Sequence, residues 1–201
     1  MKNDPFEHRA ADWEKNRQRI ENVDNIARTM HERVHFTGTM EVMDFGSGTG
    51  LLLERIAPKV RKVTAVDTSA AMNEQLERKR DALPCELEIL RVDLLATPIG
   101  RRFDGIVSSM TLHHVDDVPA LLRTFHGLLD DGGFIALADL DREDGRFHAD
   151  DTGVFHEGFD REALAAAARD AGFTAVETCT ASVIRKPQGD YPVFLLTARK
   201  A

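Results

Sequence analysis

A run of alternating glycines constrains the folding of this chain more than any other feature of its sequence. The residues from Asp44 to Gly50 read D-F-G-S-G-T-G, and they follow a compact apolar stretch, Met40 to Phe45. An apolar helical pattern begins at Leu51 and stops before Pro58. Glycines between a strand and a helix let the backbone turn tightly and approach a ligand that a Cβ atom would exclude. The run therefore predicts a strand, a ligand-binding turn and a helix, in that order.

The same alternation of strands and helices continues along the chain. Further strands are predicted at Lys62 to Val66, Glu86 to Val92, Phe103 to Ser108, Phe134 to Leu140, Thr174 to Ile184 and Val193 to Ala198. Helices fall between most of them, and the last helix is capped by Asp160 and ended by Gly172. The final connection, Lys186 to Asp190, is too short for a helical crossover and indicates an antiparallel hairpin. The pattern predicts an α/β fold: a Rossmann-like, doubly wound, mostly parallel seven-stranded sheet with a C-terminal antiparallel hairpin and helices on both faces.

Composition and charge exclude several classes of partner. The 201 residues carry a formal net charge of -8, which would repel a phosphate backbone and argues against nucleic acid. The two cysteines, Cys85 and Cys179, form no CxxC pair, so neither a zinc site nor a redox dithiol is indicated. No segment approaches the roughly 18 apolar residues that span a bilayer. We therefore expect a cytoplasmic protein without membrane or nucleic-acid partners.

Acidic residues end two neighbouring strands of the predicted sheet. Asp67 ends the second strand, where a carboxylate can accept hydrogen bonds from both hydroxyls of a ribose. Asp93 follows the third strand, where it could accept from the amine of an adenine. Dinucleotide-binding dehydrogenases use G-x-G-x-x-G, but Leu51 stands where their third glycine belongs. The pattern favours a ligand with ribose and adenine and disfavours NAD.

With these motifs in place, the sequence resembles the class I S-adenosylmethionine-dependent methyltransferases, and most of all the branch that contains the ubiquinone and menaquinone biosynthesis methyltransferases. The resemblance covers nearly the whole chain. It rests on the order and spacing of Glu41 to Gly50, Val66 to Met72, Val92 to Leu94, Phe103 to Val115 and Leu128 to Gly133.

The resemblance implies a set of residues around S-adenosylmethionine. Asp44 and the turn that contains Gly46, Ser47, Gly48 and Gly50 would hold the methionine moiety, and Asp67 would hold the ribose. Thr68 and Met72 would flank the adenine, Asp93 would accept from its amine, and Leu94 would line the same pocket. Ser109 would lie beside the cofactor at the end of the fourth strand.

Catalytic residues are harder to derive, because methyl transfer from a sulfonium needs mainly an aligned acceptor and the exclusion of water. A base helps only a protonated acceptor, and the candidates are His114, Asp139 and His156. Neighbours on one strand point in opposite directions, so we expect His114 rather than His113 to reach the site. The segment from Asp141 to Gly158 has a metal-ligand composition, His148, Asp150, Asp151, His156 and Glu157, but no recognised spacing, and we expect no metal.

The sequence thus predicts one methyltransferase domain in three parts. These are an N-terminal helical cap (1–38), a cofactor-binding half (39–140) and an acceptor-side loop, helix and closing strands (141–201). We expect the cap and the segment from Asp141 to Gly158 to cover a small-molecule acceptor. Two other functions stay open, a nicotinamide-dependent oxidoreductase and a non-catalytic S-adenosylmethionine-binding protein. The acceptor, the atom methylated and the oligomeric state are not determined.

Overall fold

The computed structural model describes residue 4, residues 6–147 and residues 153–201, and α-helices separate most of its consecutive strands. The α-helices in this part of the chain are α1 (Arg17–Arg33), α2 (Leu51–Ile56), α3 (Ala70–Glu77), α4 (Val118–Leu128) and α5 (Arg161–Asp170). The strands are β1 (Glu41–Phe45), β2 (Lys62–Val66), β3 (Glu86–Leu90), β4 (Phe103–Ser109), β5 (Leu129–Leu140), β6 (Phe173–Lys186) and β7 (Gly189–Lys200). A short 3-10 helix, Ala10–Lys15, precedes α1, and another, Leu112–His114, follows β4.

The seven strands form one sheet in the order β3-β2-β1-β4-β5-β7-β6. The pairs among β1 to β5 are parallel, whereas β7 runs antiparallel to both β5 and β6. The predicted fold class is therefore confirmed, including the hairpin. The hairpin turn is tighter than predicted, because Lys186 already pairs with Gly189. The hydrogen bonds between β6 and β7 continue as far as Lys186 and Gly189, through polar residues that show no alternation of apolar and polar side chains.

Helices cover both faces of the sheet, and the strands contribute alternate residues to each face. Successive residues of a strand point to opposite sides. In β1, Val42 accordingly packs in the core beneath α1 and α2, whereas Met43 packs in the core beneath α4 and α5. Both side chains are fully buried. Among the described residues, no helix has both the length and the apolar character that crossing a membrane requires.

The winding of the chain reverses between β1 and β4, which are neighbours in the sheet. From β1 the chain proceeds outward to β2 and β3, and from β4 it proceeds in the other direction to β5. The connections after β1 and β4 therefore diverge and leave a crevice at the carboxyl ends of the strands. Such a switch point is the usual ligand site of an open α/β sheet.

Candidate functional site

A cavity of about 1290 Å³ opens at this switch point. Its walls come from the turn after β1, the ends of β2, β3 and β4, the N-terminal segment, α1 and the end of β6. Sites for a single small molecule usually occupy about 300–1,000 Å³. The cavity is therefore large enough for two ligands side by side.

The three glycines of the turn have positive φ angles, and each serves a different purpose. A Cβ atom on Gly46 would lie 2.1 Å from Cγ2 of Thr111, so this glycine lets the turn pack against the segment after β4. A Cβ atom on Gly48 would meet nothing within 4 Å, and Gly48 lines the cavity. Gly50 does not line the cavity, contrary to expectation, because its Cα faces Leu76 of α3. Gly46 lines the cavity too, but of the three glycines only Gly48 has open space beside its Cα through which a ligand could approach.

Asp67 joins the glycine turn to the start of α3. One carboxylate oxygen accepts a hydrogen bond from the N–H of Gly48 and the other from the N–H of Ser69, both at 2.8 Å. Burial raises the pKa of Asp67, although these two bonds act against the rise. A carboxylate has about four lone-pair directions, so each oxygen can accept one further hydrogen bond. Asp67 therefore holds the turn and can still accept two ligand hydroxyls.

Asp44 is the most deeply buried charged group in the cavity wall. It is 1% exposed, and its Oδ2 atom has no hydrogen-bond partner among the described residues. Burial, with a further contribution from the charge of Asp67, raises the pKa of Asp44 to about 8. A buried carboxylate without a partner is costly, and a cationic ligand group would relieve that cost.

Other buried polar side chains around the cavity also have no hydrogen-bond partner in the described part of the chain. Like Asp44, they line the cavity, and they come from three different elements. They are Asn22 (Oδ1), Ser47 (Oγ), Thr49 (Oγ1) and Ser109 (Oγ). Native proteins leave few buried polar atoms unsatisfied. Their grouping at one cavity indicates that a polar ligand completes them.

The far end of the cavity, at the ends of β2 and β3, combines an apolar interior with a polar rim. Met72 and Leu94 are 2% and 3% exposed and line the interior. Thr68 and Asp93 are exposed at the rim, where Asp93 accepts a hydrogen bond from the N–H of Leu95 at 3.0 Å. The apolar side chains of Met72 and Leu94 beside the exposed carboxylate of Asp93 could therefore bind a flat heterocycle that carries an amine.

The histidine pair lies in the 3-10 helix after β4 rather than on a strand, so the expected alternation of directions does not apply. Both His113 and His114 line the cavity, and their ring centroids are 4.3 Å apart. His113 is 2% exposed, and its Nδ1 atom lies 2.7 Å from the fully buried carboxylate of Asp139. Burial and the neighbouring His113 lower the pKa of His114.

Two of the three candidate bases do not line this cavity. Asp139 lies behind His113, and its carboxylate also accepts from the N–H groups of His113 and Leu140. His156 lines a smaller neighbouring pocket, and its Nε2 atom lies 2.9 Å from the carbonyl oxygen of Val115. Of the three, only His114 lines the cavity wall.

Two segments far apart in the chain cover the cavity. Asp4 accepts hydrogen bonds from the Ser69 hydroxyl and the N–H of Phe6, and the ring of Phe6 stands edge-on to those of Trp13 and His114. From the other side, the N–H of Phe155 bonds the carbonyl oxygen of His113. Of the predicted covering segment, residues 148–152 lie outside the described residues, and with them His148, Asp150 and Asp151. Within the described residues, no group of three or more His, Cys, Asp or Glu side chains could hold a metal.

Several cavity residues have no counterpart in the sequence prediction. Asn22 and Arg19 come from α1, and Lys186 comes from the end of β6. No motif or spacing links these positions to the glycine turn, because only the packing of α1 and β6 against one another brings them to the cavity. Phe45 and Thr49 lie inside the glycine motif and line the cavity, so the motif itself could have indicated both.

Comparison with known families matches residues 6–178 to a methyltransferase domain. An uncharacterized methyltransferase of Mycobacterium bovis is 34% identical over 101 residues, which are 50% of this chain and 50% of that protein. A ubiquinone biosynthesis O-methyltransferase of Xanthomonas axonopodis is 31% identical over 108 residues, covering 53% of this chain and 45% of that protein. The chain thus spans about half the length of the curated relatives it matches.

The fold also has a solved counterpart in the N-methyltransferase NodS of Bradyrhizobium japonicum, whose structure holds S-adenosyl-L-homocysteine. The two chains share 16% of their residues with a TM-score of 0.70, over 93% of this chain and 89% of NodS. At this level of identity the likeness shows a common fold alone. The family match and the relatives confirm the resemblance that the sequence motifs indicated.

Proposed function

Because this chain belongs to the family of the methyltransferase domain, we propose that it transfers a methyl group from S-adenosylmethionine to a small-molecule acceptor. The observation that carries the proposal is the ring of buried polar atoms around the glycine turn that have no hydrogen-bond partner among the described residues. NodS, with the same fold, holds the demethylated cofactor. The cytoplasmic location expected from the sequence stays a prediction.

The cavity residues offer partners to the ammonium, the ribose and the adenine of this cofactor. The orphaned Oδ2 atom of Asp44 suits the ammonium of the methionine moiety, and the open Cα of Gly48 lets the backbone approach that moiety. Asp67 has capacity for the two ribose hydroxyls, and Met72 and Leu94 offer apolar surfaces to the adenine. Polar groups at the edges of the bound cofactor would come from Thr68, Ser47, Ser109 and Asp93. When bound, the cofactor supplies a methyl group that its sulfonium already activates.

The protein then has to orient the acceptor and exclude water. Phe6, Trp13 and Phe155 line the open side of the cavity and can exclude water there. Asp139 holds the ring of His113 through Nδ1, so we assign it a positioning role. His114 is the candidate base for a protonated acceptor, because burial and the neighbouring His113 lower its pKa and so favour the neutral imidazole.

Isothermal titration calorimetry distinguishes this function from its alternatives. We expect S-adenosylmethionine and S-adenosylhomocysteine to bind at one site and NAD to show no saturable heat. NAD binding without S-adenosylhomocysteine binding would instead support an oxidoreductase. A screen of phenols, amines and thiols for release of S-adenosylhomocysteine then separates an enzyme from a non-catalytic binding protein. No release with any acceptor would favour the latter.

Asp67→Ala tests the assignment of the ribose site. Loss of the carboxylate removes two acceptors for hydroxyls and leaves the N–H of Gly48 without its partner. We expect S-adenosylhomocysteine binding to weaken by about 1–3 kcal/mol in calorimetry. Asp160→Ala is the matched control, since Asp160 accepts from the N–H of Ala163 at the start of α5 and does not line the cavity. If both variants lost the same affinity for S-adenosylhomocysteine, the assignment of Asp67 to the ribose site would be wrong.

A further inference from the structure

Two cationic side chains from distant parts of the chain line the same cavity. Arg19 projects from α1, and Lys186 ends β6. The two elements are joined nearby by the side-chain amide of Gln18, which donates to the carbonyl oxygen of Arg185. The cofactor assignments above use neither Arg19 nor Lys186.

Each cation lies against an aromatic ring of the cavity wall. The guanidinium of Arg19 is 3.7 Å from the ring centroid of Trp13, and it also donates to the carbonyl oxygen of Trp13. The ammonium of Lys186 is 3.6 Å from the ring centroid of Phe147, and it donates to the carbonyl oxygen of Phe147. Cation–π contacts and carbonyl bonds hold both groups in position but neutralise neither.

Carboxylates do not compensate these charges directly. Among the described residues, no carboxylate oxygen lies within 4.0 Å of either cation. Burial and the charge of Arg9 lower the pKa of Arg19, and burial and the charge of Arg19 lower the pKa of Lys186. Glu143 acts in the opposite direction on Lys186, but it does not line the cavity and its Oε2 atom accepts from the N–H groups of Arg146 and Phe147. In a chain of net charge -8, this part of the cavity favours an anion.

Apolar side chains line the cavity beside the two cations, together with the polar side chains of Asp12, Asn16 and Gln18. Phe6, Trp13, Phe147 and Ile184 line the cavity with them, and Phe155 lines it while 59% exposed. An exposed phenylalanine at a cavity wall is a surface that an apolar ligand would cover. The buried Oδ1 atom of Asn22 lies one turn of α1 beyond Arg19 and has no hydrogen-bond partner in the described part of the chain, so it adds a further acceptor.

We propose that the methyl acceptor is a small apolar molecule with an anionic group, and that Arg19 and Lys186 together bind that group. The apolar body of the acceptor lies against the aromatic rings of the wall, and Asn22 can accept a hydrogen bond from an acceptor hydroxyl or amine. The inference rests on the proposed function, because it concerns cavity residues that the proposed cofactor contacts leave unassigned.

The intrinsic fluorescence of Trp13 tests the proposal directly, since Trp13 is the only tryptophan of the chain and stacks on Arg19. Protein saturated with S-adenosylhomocysteine is titrated with benzoate, phenyl phosphate and the neutral benzamide. We expect a saturable change with at least one of the two anions, at a Kd about tenfold or more below that of benzamide. The two anions tell a carboxylate acceptor from a phosphate acceptor.

Variants locate the anion. R19Q and K186Q should each raise the Kd of the bound anion about tenfold or more, whereas R19K and K186R should lose less because they keep the charge. R17Q and R185Q are matched controls, because Arg17 and Arg185 are exposed neighbours that do not line the cavity. Thermal unfolding checks that each variant is folded.

Three outcomes would overturn the proposal. Equal binding of benzamide and the anions would show that charge is not recognised, a comparison that needs no variant. Anion binding that survives R19Q or K186Q would place the anion elsewhere. Weaker S-adenosylhomocysteine binding in R19Q with unchanged anion binding would assign Arg19 to the carboxylate of the cofactor.

Failure of wild-type protein to bind S-adenosylhomocysteine would contradict the proposed function instead. The failure of the proposed function can therefore be distinguished from the failure of the inference about the acceptor.

Discussion

Asp44→Asn is expected to stabilise the ligand-free protein and at the same time to weaken its binding of the cofactor. Asp44 has an orphaned, buried oxygen and a pKa raised from 3.8 to about 8 by burial and by Asp67. Folding therefore has to protonate or desolvate this carboxylate at neutral pH. A neutral amide of the same shape avoids most of that cost, but it cannot pair with the ammonium of the methionine moiety.

The stabilisation should depend on pH in a defined direction. A carboxylate whose pKa is higher in the folded state loses its contribution to stability as pH rises from the unfolded pKa toward the folded one. The free energy of unfolding of the wild type should thus fall relative to that of the variant between about pH 4 and about pH 8, by at most about 1.4 kcal/mol per pH unit. Above about pH 8 the difference should stay constant. Urea unfolding at several pH values measures it.

The affinity of the protein for the cofactor should change with pH in the opposite direction to its stability. A cationic ligand favours the ionised carboxylate, so wild-type affinity for S-adenosylhomocysteine should rise from pH 6 to pH 8, and Asp44→Asn should flatten that rise. Asp104→Asn is the matched control, since Asp104 accepts from the N–H of Glu41 at the opposite end of β1 and does not line the cavity. A variant that binds S-adenosylhomocysteine as tightly as the wild type at pH 8 would exclude Asp44 from the site.

Gly48→Ala should impair binding far more than it impairs folding. The added Cβ atom meets no protein atom within 4 Å, but it occupies the space through which the backbone approaches the ligand. Its φ of 54° costs an alanine about 1–2 kcal/mol of stability. We expect S-adenosylhomocysteine affinity to fall by roughly tenfold or more, with a larger loss in Gly48→Val. Calorimetry and thermal unfolding of the same preparations separate the two effects.

Gly132→Ala provides the comparison for this variant. Gly132 has a φ of 78°, a Cβ atom there would also meet nothing within 4 Å, and the residue does not line the cavity. It should lose a similar amount of stability and keep its affinity. If Gly48→Ala is destabilised like Gly132→Ala yet binds S-adenosylhomocysteine normally, the turn has a structural role only.

The sequence by itself determined the order of strands and helices, the mostly parallel sheet and the first segments that line the cavity. These features follow from local properties: apolar periodicity, caps such as Asp160, and glycines at turns. Asp44, Gly48 and Asp67 could be predicted as neighbours because the carboxyl ends of adjacent parallel strands meet at one edge of the sheet. The spacing of the motifs was therefore enough to predict that these three residues lie close together.

Only the tertiary structure decided which of the predicted residues face the cavity and which support it. Gly46 and Gly50 look alike in the motif, but one faces Thr111 and the other Leu76, which lie on other elements. Asp139 ends a strand like Asp67, yet His113 covers it. Arg19 and Lys186 are separated by most of the chain and come to the same cavity through the packing of α1 against β6. Such contacts depend on the packing of whole elements, which no local pattern of residues encodes.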